Sequence, residues 1–219
     1  MVATTSSPLP LVVLISGSGS NLQAIIDACA KREINAEVRA VVSNRPDAYG
    51  LERAHAAGIP AHLLDHRNFQ DRRSFEMELE RLIDSYTPRL VVLAGFMRIL
   101  TAEFVNHYVG RLINIHPSLL PNFQGLNTHQ RAIDAGASEH GVSVHFVTPE
   151  LDGGPVIIRA AVPVLAGDSA QTLAQRVLSL EHIIYPKAIS WFADGRLRLK
   201  DSQALLDNQP IAQLEKRFA

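Results

Sequence analysis

Of the 219 residues only one is a cysteine, Cys29, so no disulfide can form within the chain. That suits a reducing, cytoplasmic setting. Cys29 keeps helical spacing with Leu22, Ile25 and Ile26 and reads as a core residue. Excess charge is also missing. The formal net charge is -1 and no long Lys/Arg block occurs, which argues against a nucleic-acid surface. Long apolar runs are absent as well. The first one spans only residues 9–15, whereas a membrane helix needs roughly 20. The opening "MVATTSSP" has no basic segment of the signal-peptide kind, so neither export nor membrane insertion is expected. Metal-ligand spacings are lacking too: there is no HExxH and no Cys cluster. We expect no bound metal.

What is present suits one globular unit. With 47% hydrophobic residues the chain can bury a core without a disulfide or metal staple. "LPLVVLI" and "AEVRAVVSN" read as buried strands. A helix over about 47–57 stops at Gly58, and "IPAHLL" begins a short strand. An amphipathic helix over 71–86 turns Phe75, Leu79, Leu82, Ile83 and Tyr86 inward. "RLVVLAG" is apolar in succession, as a strand covered on both faces requires. Such alternation predicts an α/β fold, an open and mostly parallel Rossmann-like sheet with helices on both faces. After residue 141 the rhythm changes. "VSVHFVT" and "PVIIRAAVPV" are separated by a short Gly-rich loop and should pair antiparallel. A long helix over about 169–191 follows, with Leu173, Val177, Leu180, Ile184, Ala188 and Trp191 on one face. We expect one domain over residues 1–199 and a loose polar tail over 200–219.

Two polar stretches interrupt this apolar framework. "SGSGSN" (16–21) lies between the first strand and the first helix, where open sheets seat phosphates on helix amides. Gly17 and Gly19 permit a tight turn and close approach of a ligand. Leu22 replaces the third glycine of a dinucleotide fingerprint, and no acid follows the second strand. Ser43, Asn44 and Arg45 there would suit the 2′-phosphate of NADP, so an oxidoreductase is an alternative from a different class.

The other stretch is "LINIHPSLLP" (112–121). Asn114 and His116 are two apart on a strand and share one face, while Ile113 and Ile115 share the other. Pro117 ends the ladder and presents both polar groups at the carboxyl edge, where ligands bind. The proline-bounded reversal after them would accommodate a cis Leu120–Pro121 bond. In "ELDGGP" (150–155), Asp152 precedes two glycines and occupies a shaped turn.

Together "SGSGSNLQAII", "VVLAGFMRIL", "NIHPSLLP", "HGVSVHFVTPELDGGPVI" and "EHIIYP" resemble the folate-dependent glycinamide ribonucleotide formyltransferases of purine synthesis, in unbroken order from about residue 11 to 199. The resemblance implies the formyltransferase fold and transfer of a formyl group from 10-formyltetrahydrofolate, a cosubstrate, to the amine of 5′-phosphoribosylglycinamide. It implies Asn114, His116 and Asp152 as the catalytic set. Gly19, Ser20 and Asn21 would hold the substrate phosphate and Glu181 the ribose hydroxyls. Met97, Arg98, Ile99, Leu100, Asn114 and the run Thr148, Pro149, Glu150, Leu151, Asp152 would wall the folate. Arg72 would meet a folate carboxylate. Read by itself, Ile99 is a plain core residue. Partners would be small molecules only, acting on a monomer or homodimer. A 10-formyltetrahydrofolate hydrolase is the nearer alternative. Gln124, Asn127 and Pro149 depart from the family's usual residues.

In that reaction an amine attacks a carbonyl and charge develops on the formyl oxygen. Asn114 would donate an amide N–H to that oxygen. His116, protonated, would bond the same oxygen and supply a proton. Asp152 would favour the charged imidazole.

Overall fold

The computed structural model describes residues 7–212. The expectation about the first residues, and the end of the expected tail, lie largely outside that range. Strand β1 (Leu9–Ile15) leads into α1 (Ser20–Ala30), and β2 (Ala36–Ser43) into α2 (Gly50–Ala56). Strand β3 (Ala61–Leu63), α3 (Arg72–Ser85), β4 (Leu90–Leu93), α4 (Ala102–His107) and β5 (Leu112–His116) follow. Then come α5 (Thr128–Asp134), β6 (Glu139–Phe146), β7 (Val156–Pro163) and α6 (Ala170–Ala193).

The strands form one seven-stranded sheet in the order β3-β2-β1-β4-β5-β6-β7. From β3 to β5 the neighbours are parallel; β5–β6 and β6–β7 are antiparallel, as the change of rhythm after residue 141 anticipates. β1 is buried along its whole length, and its alternation divides the core in two. Leu9, Leu11, Val13 and Ile15 pack with residues of α1 and α6, while Val12 and Leu14 pack with α3 and α4. Two helices begin with capping boxes, Asp71 with Ser74 on α3 and Ser169 with Thr172 on α6. Cys29 is half-buried at the core's edge, and burial pushes its thiol up to about 11.

Of the polar stretch 200–219 that was expected to be loose, the described part, residues 200–212, is folded. Strands β8 (Leu197–Lys200), β9 (Gln203–Leu206) and β10 (Gln209–Pro210) make a three-stranded antiparallel sheet. Its inward residues Leu197 and Ala204, with Ile211 just beyond β10, join the core beside α6. The tight turns carry Asp201, Ser202, Asp207 and Asn208 at positive φ, and Arg196 pairs with Asp207 across the base. Among the described residues no helix is long and apolar enough to cross a membrane.

Candidate active site

β5 delivers Asn114 and His116 to the carboxyl edge of the sheet, with Ile113 and Ile115 turned into the core behind them. β6 lies antiparallel beside β5, setting His145 opposite Asn114 and Ser143 opposite His116. After Pro117 the chain doubles back under the control of Ser143. Its hydroxyl donates to the Ser118 carbonyl at 2.7 Å and accepts the Leu120 N–H at 3.0 Å. The Leu120–Pro121 peptide is cis.

The loop from β6 to β7 brings in Asp152. Gly154 is required there, because a Cβ would lie 1.8 Å from the Phe146 carbonyl oxygen. Asp152 itself takes φ 49° and is held by the Gly125 N–H, 3.0 Å from its Oδ2. The same oxygen stands 3.4 Å from His116 Nδ1, and both side chains are buried. His116 Nε2 faces the Phe123 carbonyl at 3.0 Å. A carbonyl only accepts, so Nε2 carries the proton of that bond, while the Asp152 carboxylate lies beside Nδ1.

His145 is a member of this cluster that the sequence reading passed over. Its Nδ1–H donates to the Phe146 carbonyl at 2.9 Å, which leaves Nε2 bare to accept the Asn114 amide at 3.2 Å. Burial lowers the His145 pKa. That effect outweighs the Phe146 carbonyl and Asp152, which pull it upward, so the ring stays neutral and remains an acceptor. The Asn114 amide is thereby oriented with its second N–H free to donate elsewhere.

The Gly/Ser loop and the long helix meet at a second polar point. Asn21 Nδ2 on α1 donates to Glu181 Oε2 on α6 at 2.6 Å. Asn21 Oδ1 is buried without a partner among the described residues. Burial raises the Glu181 pKa and outweighs the Asn21 bond, which lowers it. Residues 16–21, Gly95, Met97 and Glu181 bound a cavity of about 210 Å³. Unlike α3 and α6, α1 has no side-chain cap at its start, so its first amides are available to an anion.

Gly19 makes the tight turn expected of it and has a second task in packing. It sits at φ 70°, and a Cβ there would fall 2.6 Å from the Gly50 Cα. Close packing against α2 therefore demands it, before any ligand does. Gly17 is the position whose Cβ would meet open space.

A further cavity of about 100 Å³ opens beside Asn114 and Asp152. The expected wall residues Arg98, Ile99, Leu100, Thr148, Pro149, Glu150 and Leu151 all line it, and His145 does too. Ile99 is 57% exposed at its rim and is no core residue. Met97 instead lines the Gly/Ser-loop cavity. Arg72 is the exposed first residue of α3 and is not brought to this wall. The departures have local roles. Gln124 donates to the Asp152 carbonyl at 3.3 Å, and Asn127 stands just before α5 at φ 57°, a conformation that asparagine tolerates well, without a side-chain bond to the helix.

The NADP alternative loses its seat. Ser43 and Asn44 are buried, Ser43 Oγ is bound to the Arg45 backbone, and Arg45 pairs with Asp47.

The formyl transferase family model matches residues 9–189, and the chain belongs to that family. It is 60% identical to the phosphoribosylglycinamide formyltransferase of Escherichia coli K12, over 92% of this chain and 95% of that protein. A solved phosphoribosylglycinamide formyltransferase from Coxiella burnetii superposes with a TM-score of 0.89 at 57% identity, covering 93% of this chain and 95% of that one. A formyltetrahydrofolate deformylase from Pseudomonas syringae shares the fold, with TM-score 0.86 at 24% identity; the chain covers 67% of it.

Proposed function

We propose that this enzyme transfers the formyl group of 10-formyltetrahydrofolate to the primary amine of 5′-phosphoribosylglycinamide, in the cytoplasm, as a step of purine synthesis. The observation that carries the reading is Asp152 held 3.4 Å from His116 Nδ1, with Asp152 and Asn114 in the wall of one cavity and His116 buried behind Asp152. That set offers an N–H donor, a proton donor and a fixed anion, the needs of an attack on a carbonyl. The folate enters the cavity walled by residues 98–100 and 148–152. The ribonucleotide places its phosphate on the uncapped start of α1 and its hydroxyls on Glu181 and the unpaired Asn21 Oδ1.

The amine attacks the formyl carbon, and the formyl oxygen takes the free N–H of Asn114. His116 donates its Nε2–H to that oxygen, exchanging the Phe123 carbonyl for substrate. Phe123 sits at φ 55°, a conformation its ring makes unfavourable. The segment from 117 to 127 gives up that bond as substrate enters. Asp152 holds the charged ring in place and, through a water, takes the proton that the amine sheds. The tetrahedral carbon then collapses, and its bond to the folate nitrogen breaks as that nitrogen takes, through the same water, the proton that the amine shed. Alignment of amine and carbonyl supplies much of the rate, and no step calls for a metal.

The enzyme should consume 10-formyltetrahydrofolate only when the ribonucleotide is present, followed by folate absorbance. Consumption without it would establish the hydrolase instead.

Two variants test the ribonucleotide seat. Gly17→Val sets its Cβ in open space in the cavity by residues 16–21, with no protein atom within 4 Å of that carbon. Calorimetry should show ribonucleotide affinity at least tenfold weaker, with folate affinity and melting temperature near wild type. Equal losses for both ligands would make the loop merely structural.

Glu181→Gln should trade affinity for stability. Folded Glu181 holds its proton more tightly than the unfolded chain does, since its pKa is raised. Its stability contribution is therefore best in acid and declines as pH rises above the ordinary value of 4.5. Glutamine escapes that decline, so the variant should melt higher at neutral pH, and the gain should vanish in acid. Ribonucleotide affinity should drop about tenfold, the cost of one hydrogen bond to a charged group. A lower neutral-pH melting temperature would contradict the account of a carboxylate kept at a cost for binding.

A further inference from the structure

Ser16 is the first residue after β1 and opens the Gly/Ser loop. Its Oγ accepts the Met97 N–H at 2.7 Å, across 81 residues of sequence. An amide N–H only donates, so the hydroxyl's own proton must go elsewhere. It goes to Asn44 Oδ1, 2.5 Å away, just past the end of β2. That contact fixes the amide's orientation and turns Asn44 Nδ2 toward His66 Nδ1 at 3.3 Å. Ser16 and Asn44 are both buried. One hydroxyl thus joins the exits of two strands to the backbone of Met97.

Met97 lines the Gly/Ser-loop cavity, and the next three residues, Arg98 to Leu100, line the cavity beside Asn114. The far end of this irregular segment is anchored by the buried Glu76, whose Oε1 accepts the Thr101 N–H at 3.1 Å. The segment is therefore pinned at both ends, and the Ser16 end is pinned to the phosphate loop itself. Neither Ser16 nor Asn44 contacts the Asn114, His116, Asp152 cluster.

We propose that Ser16 is a positioning residue that locks the ribonucleotide seat to the folate wall, so that filling either seat tightens the other. The proposal rests on the substrate assignment above. A ligand on residues 17–21 steadies Ser16. Through the Met97 N–H that ordering reaches the start of the folate wall, and the reverse holds by linkage.

The test is calorimetry of 5′-phosphoribosylglycinamide with and without saturating tetrahydrofolate, a pair that cannot react. The wild type should bind the ribonucleotide about tenfold more tightly when the folate is present. In Ser16→Ala that ratio should fall to about one, and each single affinity should weaken several-fold. Asn44→Ala keeps the hydroxyl but frees its proton; it should lower the ratio part-way, and it serves if Ser16→Ala does not fold. Tyr108→Phe is the structural control. It removes a hydroxyl on a buried residue that donates to Asp84 Oδ1 at 3.0 Å, and Tyr108 lines neither cavity. It should lower the melting temperature and keep the ratio. A wild-type ratio of one, an unchanged ratio in Ser16→Ala, or an equal loss in Tyr108→Phe would overturn the lock. Wild-type formyl transfer, assayed in parallel, checks the parent reading separately. Transfer with a ratio of one sinks the lock alone, and no binding of either ligand sinks both.

Discussion

Asp152→Asn lowers kcat by about 10²–10³-fold and leaves KM for both substrates within a few-fold of wild type. The substitution keeps the shape of a side chain packed against Gly125 and removes the anion that faces His116 Nδ1. Asparagine also turns one contact from acceptor into a choice of donor or acceptor, so the ring loses the anion beside its Nδ1. The ribonucleotide phosphate and the folate keep their seats, because neither cavity is reshaped. Only the charge that develops during attack goes unsupported. His116→Ala should cost as much. The double variant should cost little more than either single one, since the two groups act as a unit. Steady-state kinetics on the three proteins decides it. Multiplying effects, or a near-normal kcat in Asp152→Asn, would leave Asp152 as a turn residue.

Asn114→Ala removes the N–H proposed to meet the formyl oxygen, and it should also lower kcat by about 10²–10³-fold. Asn114→Asp should fall at least as far, because it sets a negative charge where negative charge develops. His145→Ala leaves the amide in place but unheld, and should lose less, on the order of tenfold, the worth of one hydrogen bond spent on orientation. Rates in the order wild type, His145→Ala, Asn114→Ala are expected. A His145→Ala rate below that of Asn114→Ala would mean that His145 acts directly and not through the asparagine.

Much of this could be read from the chain itself. β1 and β4 are unbroken apolar runs, which a strand buried on both faces must be, and β1 spans the expected residues 9–15. Asn114 and His116 were legible because polar residues in such a run need a reason, and a proline directly after them marks the sheet edge. The short helices α4 and α5 escaped, with six and seven residues, too few to establish a period of 3.6. The last three strands escaped because they form a small surface sheet. Their outward residues are polar, and too few apolar ones point inward to make a pattern.

The site's second ring of contacts was the least legible part. His145 lies in an apolar strand at alternating spacing and looks like packing; only its pairing opposite Asn114 gives it work. Gly19 was marked for a tight turn and a ligand, but the approach of Gly50 was hidden, because it depends on how α2 folds back. Ser16 and Asn44 are small polar residues at strand ends, and sequence offers no hint that one hydroxyl joins them to Met97. Pairings across 28 and 81 residues belong to the fold, not to any local pattern.

The most direct measurement follows the formyl carbon itself. Folate carrying an isotopic label in the formyl group is mixed with the ribonucleotide and the enzyme, and the products are read by NMR. The label should appear as an amide on the former amine of the ribonucleotide, one equivalent for each tetrahydrofolate released, and His116→Ala should abolish that signal on the same time scale. Label emerging as free formate, with the ribonucleotide unchanged, would contradict the transfer reading.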